Sequence, residues 1–350
     1  MLVFQRILQL LILVIFTYGL YIYPLTKGVF WGLEYKLRLP WLIVSTLLVT
    51  FLLFYYFTTK TKNRFLKLLV RWGIGAGYFS LLITWGLLCL DTVIFINNEI
   101  KCLFLIIGTV SLVIYALRQG KIIVVKPIEI HNSKLSKQTR LVFISDVHIG
   151  SQEPRYLNKI IEQIQQLHPD YVFIGGDLID SSAITINDLH AFKQLTMPIY
   201  CVTGNHEYIL ENYNQLLSEL ASVNITWLDN EAVVLDDIQI VGVNDYLNRS
   251  EKSRLIHDLS DLKHYVIALV HKPLSLKSLI RTPDLMLSGH THNGQLFPFG
   301  LLVKLSFPQS YGLYKQGESL LYVSSGVGMW GSSMRFGTQN ELVYLTLKPK

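Results

Sequence analysis

Apolar and polar positions follow one rhythm in the first third of this 350-residue chain and another in the rest. Four nearly unbroken apolar stretches fall at roughly 7–23, 40–58, 72–90 and 102–117, each near the ~20 residues that a helix needs to cross the hydrocarbon core. The last is the shortest. They predict an all-helical membrane domain of about four transmembrane helices over residues 1–120. The first stretch runs into Tyr18, Tyr21, Tyr23 and Pro24 without a small-residue cleavage pattern, so an uncleaved helix is expected rather than a signal peptide. Ionisable groups are nearly absent from the stretches, Arg71 at an edge excepted. A transport pathway requires such groups, and anchoring is the better reading. Trp41, Tyr55, Tyr56 and Trp72, near the ends of stretches, suit interfacial belts.

From about Lys121 short β-branched runs alternate with amphipathic segments. Strands are expected at Leu141–Ser145, Tyr171–Ile174, Pro198–Thr203, Thr226–Leu228, Ala232–Leu235, Gln239–Val243, Tyr265–Val270 and Leu285–Ser288. Helices are expected at Arg155–Leu167, at Glu211–Leu220 and, initiated by proline, near Pro273–Ile280. Leu320–Ser324 and Glu341–Leu347 are expected to close one sheet. The alternation predicts an α/β fold, a layered αββα sandwich over residues 121–350 whose sheets are covered by helices.

Charge sharpens this division. Residues 1–117 hold ten Lys/Arg and three Asp/Glu, a net +7 that leaves −1 of the overall +6 for the remainder. The near-neutral second part lacks the basic footprint of a nucleic-acid binder, and no nucleic-acid partner is expected. With four spans, Arg6, Lys60, Lys62, Arg64, Lys67, Arg71, Arg118, Lys121 and Lys126 fall on one side, against Lys27, Lys36, Arg38 and Lys101 on the other. The positive-inside rule then puts both termini and the second domain in the cytoplasm. Cys89, Cys102 and Cys201 lack paired spacing and read as small buried hydrophobes, not as a disulfide framework or thiolate zinc site.

Candidate chemistry sits in five motifs, each directly after an expected strand: Asp146-Val147-His148, Gly176-Asp177-Leu178-Ile179-Asp180, Gly204-Asn205-His206-Glu207, His271 and Gly289-His290-Thr291-His292. In an extended segment residues i and i+2 share a face, so Asp146 with His148, and His290 with His292, are expected to aim paired side chains at one place. Gly150, Gly175, Gly176, Gly204, Gly289 and Gly294 flank them and allow sharp turns. Carboxylate, imidazole and amide oxygen suit divalent Mn, Fe or Zn.

The order and wording of these motifs resemble the calcineurin-like metallophosphoesterases over the whole of residues 121–350. The resemblance implies one metal held by Asp146, His148, Asp177 and His292, and a second by Asp177, Asn205, His271 and His290, with Asp177 bridging. It also implies that His206 is a non-ligand acid serving the leaving oxygen and that Asp180 orients it and favours its protonated form. Glu207 is left as a possible support without assigned chemistry. Two divalent ions bring four positive charges and the two carboxylates remove two, so a phosphate ester is a natural guest, attacked by an activated water shared between the ions.

The ending Gly289-His290-Thr291-His292-Asn293-Gly294-Gln295 is similar to a GHTHGGQ variant in a bacterial branch that includes membrane-associated phosphodiesterases and enzymes acting on UDP-diacylglucosamine. Asn293 stands where that variant has the first of two glycines. The expected function is a membrane-anchored phosphoesterase acting on a phosphodiester or pyrophosphate of a lipid-linked or nucleotide-linked substrate, with membrane lipid as partner. The apolar segment Leu296–Tyr314 is a candidate for contact with acyl chains, against a packed loop as the alternative. A non-catalytic phospho-ligand sensor or scaffold is the competing function. His131, His168, His190, His257 and His264 read as surface or structural. Arg335, in the glycine-rich tail Gly326–Gly337, reads either as a phosphate contact or as a structural loop arginine.

Overall fold

The computed structural model describes residues 2–58 and 63–350. Lys60 and Lys62, both counted in the charge bias, lie outside the described residues. The chain divides into a helical unit, residues through Gln119 together with Gly331–Met334, and an α/β unit, Gly120–Trp330 together with Arg335–Lys350.

In the helical unit, α1 (Leu2–Thr17) passes through a π-helical turn at Tyr18–Ile22 into α2 (Tyr23–Leu33). Pro24 falls directly after the π-helical turn, and helical backbone continues through it. Then follow α3 (Leu39–Thr58), α4 (Arg64–Asp91) and α5 (Asn98–Gln119). Among the described residues, four helical stretches, Ile7–Leu33, Leu39–Thr58, Phe65–Asp91 and Asn98–Gln119, are long and apolar enough to cross a membrane. The expected fourth span was short because its polar first turn hides it; the helix is 22 residues long. Arg71 is buried, and its Nε donates to the Gly331 carbonyl at 3.3 Å. At the α4–α5 corner Lys101 pairs with Asp91 at 2.8 Å.

The α/β unit begins with β1 (Ile123–Asn132), β2 (Thr139–Ile144), α6 (Pro154–Leu167), β3 (Tyr171–Ile174), β4 (Ile199–Cys201), α7 (Tyr213–Glu219) and β5 (Ile225–Trp227). It continues with β6 (Glu231–Leu235), β7 (Ile238–Val243), α8 (Arg249–Leu259), β8 (Tyr265–Val270) and β9 (Leu285–Ser288). It ends with α9 (Gly300–Ser306), β10 (Gly312–Gln316), β11 (Ser319–Val323) and β12 (Asn340–Pro349). One six-stranded sheet has the order β1-β12-β2-β3-β4-β5, and the other β10-β11-β9-β8-β7-β6.

The period-two alternation of the strands explains the layers. In β2, Leu141 and Phe143 face the second sheet, while Val142 and Ile144 pack with Leu157, Ile160, Ile161 and Ile164 of α6. In β8, Tyr265, Ile267 and Leu269 point between the sheets, and Val266, Ala268 and Val270 join Ile256 of α8 on the outer face. Mixed α/β layers with two sheets face to face follow directly.

Two expectations are corrected. Leu320–Ser324 and Glu341–Leu347 do not close one sheet: β11 runs parallel to β9 in the second sheet, and β12 antiparallel to β2 in the first. Hydropathy shows that both are buried strands but carries no information about partners. The helix expected near Pro273–Ile280 is only a 3-10 turn at Leu276–Ser278. Leu274 and Leu276 are both buried in the outer core, and that i, i+2 spacing is not a helical face.

Candidate metal centre

Strands β2, β3 and β4 run parallel, as do β7, β8 and β9, so several carboxyl ends meet in one region. Loops leaving those ends project polar groups without disturbing the ladders. The β2 and β3 loops are tied together where Asp146 N donates to Gly176 O at 3.0 Å and His148 N to Asp177 O at 3.0 Å. The β8 and β9 loops are joined through Gly289 N to His271 O at 2.9 Å.

The paired residues are not extended. Asp146, His148, Asp177, His290 and His292 all adopt left-handed backbone, with φ of 55°, 54°, 51°, 71° and 48°. The pairs converge because each chain turns sharply at a strand end, not because of strand alternation. Such backbone disfavours residues with a Cβ and clusters where a site dictates side-chain direction. Gly204 serves the same crowding: a Cβ there would lie 2.1 Å from Asp177 Oδ1.

Among the described residues, three groups of side chains bring ligand atoms within 4.8 Å of one another: Asp146, His148 and His292; Asp177, His271 and His290; and His148, Asp177 and His206. His148 Nε2 and His292 Nε2 face each other at 3.1 Å. Burial, together with the charges of His148 and Arg335, pushes the His292 imidazole well below its ordinary range, so a neutral His292 ring faces His148. Asp177 Oδ2 lies 3.2 Å from His271 Nε2, 3.8 Å from His148 Nε2 and 4.0 Å from His206 Nε2. Among the described residues, Asn205 Oδ1 is buried without a hydrogen-bond partner. Imidazole nitrogens and a buried amide oxygen converging around shared carboxylates are what cations would satisfy, and the donor set fits divalent metal.

Neighbouring groups orient this set. Nδ1 of His271 lies 2.8 Å from the Gly175 carbonyl, which directs Nε2 inward. Ser145 Oγ donates to Asp146 Oδ2 at 2.6 Å, and His290 N lies 3.1 and 3.0 Å from the two Asp146 oxygens. Burial raises the Asp177 carboxyl, but the imidazoles of His271, His148 and His206 outweigh it and hold Asp177 well below the carboxylate range. Asp146, also buried and repelled by Asp177, is pushed up. Burial likewise opposes charge on His271, yet Asp177 and Asp146 raise that imidazole to about 10. His290 goes the other way, to about 3, through burial and the charge of His271.

The expected acid pair is rearranged. Asp180 Oδ2 lies 3.3 Å from His148 Nδ1, and Ser151 N donates to Asp180 Oδ1 at 2.7 Å, so Asp180 supports His148 rather than His206. His206 packs edge-on to His148 and Trp330, with ring centroids 4.8 and 5.5 Å away. Burial lowers the His206 imidazole and outweighs the charges of Asp177 and Asp180, which both favour its protonated form as expected of Asp180.

Glu207 has a definite place. Its carboxylate accepts from the backbone N–H groups of Asp177 at 3.1 Å, Ile179 at 3.0 Å and Gly204 at 2.7 Å, stapling the β3 and β4 loops. Burial and the Asp177 charge push it up to about 7. Arg335 is fully buried and donates to His292 O at 2.7 Å, Ser325 O at 2.6 Å, Gly328 O at 2.8 Å and Asn340 Oδ1 at 2.7 Å. Of its two readings the structural one is what the geometry shows. His131, His168 and His190 are exposed, and His257 and His264 are half-buried.

Sequence reasoning passed over Trp330 and the group around Asp245, and read Phe307 as part of the apolar segment Leu296–Tyr314 without joining it to the site. Phe307 packs edge-on to His290 at 5.1 Å. Buried Asp245 accepts from Lys252 and from the half-buried Lys272, each at 2.6 Å, next to the His271 loop. Lys272, adjacent in sequence to His271, was the visible signal.

A two-sheet α/β unit with this cluster at its strand ends defines a class, and residues 139–294 match the model of the calcineurin-like phosphoesterase family. A metallophosphoesterase of Aquifex aeolicus is 31% identical over 239 residues, covering 63% of this chain and 90% of that protein. The chain belongs to the calcineurin-like metallophosphoesterase family. An uncharacterized metallophosphoesterase of Helicobacter pylori strain J99 is 38% identical over 243 residues, 65% of this chain and 64% of that protein. A Bos taurus transmembrane protein with metallophosphoesterase domain is 33% identical over 239 residues, 60% of this chain and 53% of that protein. The chain thus spans less than two thirds of the length of the Helicobacter relative.

Proposed function

We propose that this chain is a membrane-anchored phosphoesterase with a dinuclear metal centre. The reading rests on one observation: Asp177 is shared by two clusters, His271 with His290 on one side and His148 with His206 on the other, while His148 is shared with Asp146 and His292. In this reading Asp146, His148, Asp177 and His292 hold one ion, and Asp177, Asn205, His271 and His290 the other, with Mn, Fe or Zn suiting the donors. Bound divalent ions would supply Lewis-acid charge for phosphoryl oxygens and lower the pKa of water.

The chain's own residues do the positioning. Asp180 fixes the His148 ring, the Gly175 carbonyl fixes His271, and Glu207 holds the loops carrying Asp177 and Asn205 in register. His206 lies near both clusters, where its Nε2 serves the leaving oxygen as donor. A phosphodiester or pyrophosphate of a lipid-linked or nucleotide-linked molecule is the proposed substrate. Four candidate spans on the same chain favour the lipid-linked kind. The excess of Lys/Arg on the side of both termini supports a cytoplasmic catalytic unit.

Cleavage of bis-p-nitrophenyl phosphate by the purified full chain tests the reading. Divalent metal should confer turnover, and Asp177→Asn should abolish it. Turnover undiminished in that variant would refute the shared-carboxylate site, and no turnover with any divalent metal would point to a phospho-ligand binder.

A further inference from the structure

Beside the metal centre, the α/β unit exposes large apolar side chains that its own core leaves unused. Phe297 is 54% exposed, Phe299 48%, Leu301 59%, Leu302 60% and Leu305 80%. Residues 301, 302 and 305 fall on one face of α9, with half-buried Val303 turned away from it and exposed Lys304 at its flank. A packed loop would bury this face. Single exposed apolar residues are ordinary, but five within nine positions form a patch that marks an interaction surface.

Charge identifies the occupant. No Asp or Glu occurs from residue 285 to 317, whereas Lys304 and Lys315 do. An apolar helical face flanked by Lys304, in a stretch of sequence without carboxylates, matches the interfacial zone of a bilayer with anionic headgroups. The α/β unit follows α5 within the same chain, and four candidate spans hold that chain to lipid.

We propose that the segment Phe297–Leu305 docks into a lipid surface, apolar face down. Its far end leads to Phe307, whose ring packs on His290, and its near end closes on Gly294, where an added Cβ would lie 2.2 Å from the Gly300 Cα. The docking segment is therefore followed by a ring contact to His290 and packed at its start on Gly294, two residues after His292. A phosphate at headgroup depth would be presented beside the cluster while its acyl chains stay in the bilayer. The inference rests on the proposed membrane-anchored phosphoesterase and adds where its substrate is met.

The test uses the full chain with Cys89 and Cys102 replaced by alanine and buried Cys201 retained. Leu305→Cys and, as a control, Leu262→Cys are each labelled with an environment-sensitive fluorophore. Leu262 is also exposed but lies between Asp261 and Lys263. The proteins are reconstituted in phosphatidylcholine–phosphatidylglycerol vesicles carrying a nitroxide lipid quencher near the glycerol backbone. The label at 305 should be quenched at least about twofold more than that at 262, as expected for a face ~5–10 Å deep in the interface. Equal quenching overturns the proposal. So does shielding that depends on protein density rather than on the lipid quencher, because a second copy would then cover the face. Hydrolysis of a soluble diester, followed on the same samples, separates the two claims: turnover without quenching removes only the docking, and quenching without turnover removes only the phosphoesterase reading.

Discussion

Five of the seven proposed metal ligands sit in left-handed backbone, at a cost of about 1–2 kcal/mol each for a residue with a Cβ. Hydrogen bonds from neighbouring loops hold that geometry in place, and cations would complete it. The protonation of the cluster yields a prediction. His271 is raised to about 10 by Asp177 and Asp146 against its burial, and His148 is raised through Asp180 and Asp177 against the same penalty. His271 carries a proton at pH 7 in the metal-free chain, whereas His290 and His292, pushed down, are neutral there. A metal must displace that proton, so loading at pH 7 should acidify a weakly buffered solution, and apparent affinity should rise with pH until His271 is neutral near 10. Stopped-flow measurements with an indicator dye read this directly; uptake without proton release contradicts the ligand role of His271. His206 gives a second prediction. His206→Gln should lower kcat by ~100-fold or more for an ester with an alkoxide leaving group and far less for a p-nitrophenyl ester, whose leaving group needs no donor. Equal losses on both esters would exclude a leaving-group role.

Between strands, turns decide whether these residues meet. Gly204 follows β4 where any side chain would strike Asp177, so Gly204→Ala should lose bound metal, as elemental analysis would show. Gly86→Ala, with nothing within 4 Å of the added carbon, should retain it. Retention by both would mean that the β4 loop does not set the site. The order of strands along the chain and the position of each motif after a strand were legible in the sequence, since buried strands and their glycine-bearing ends leave strong patterns. Sheet partnership was not: β11 and β12 read alike and lie in different sheets. Helix α8 was also hidden. It is defined by an Asn248–Glu251 capping box and buries Lys252 against Asp245, so it lacks an apolar stripe. The exchange of Asp180 from His206 to His148 was equally out of reach, because spacing names candidates but does not say which imidazole a carboxylate will face.

At the scale of the whole molecule, a basic helical unit and a near-neutral α/β unit divide anchoring from chemistry. The apolar stretches were visible from composition alone; their full lengths were not, because polar first turns and Pro24 mask helical continuity. The exposed face of α9 was recognisable as an apolar segment, but only side-chain exposure separates a docking surface from a packed loop. The central claim joins the scales: Asp177 would be shared by two ions in a centre that hydrolyses a phosphate ester. It is tested most directly by titrating divalent metal into the metal-free full chain while following both bound metal and hydrolysis of bis-p-nitrophenyl phosphate. The account predicts no hydrolysis without metal, and activity that climbs as the second ion binds and levels off at about two ions per chain. Saturation at one ion with full activity, or two ions bound without hydrolysis, would contradict it.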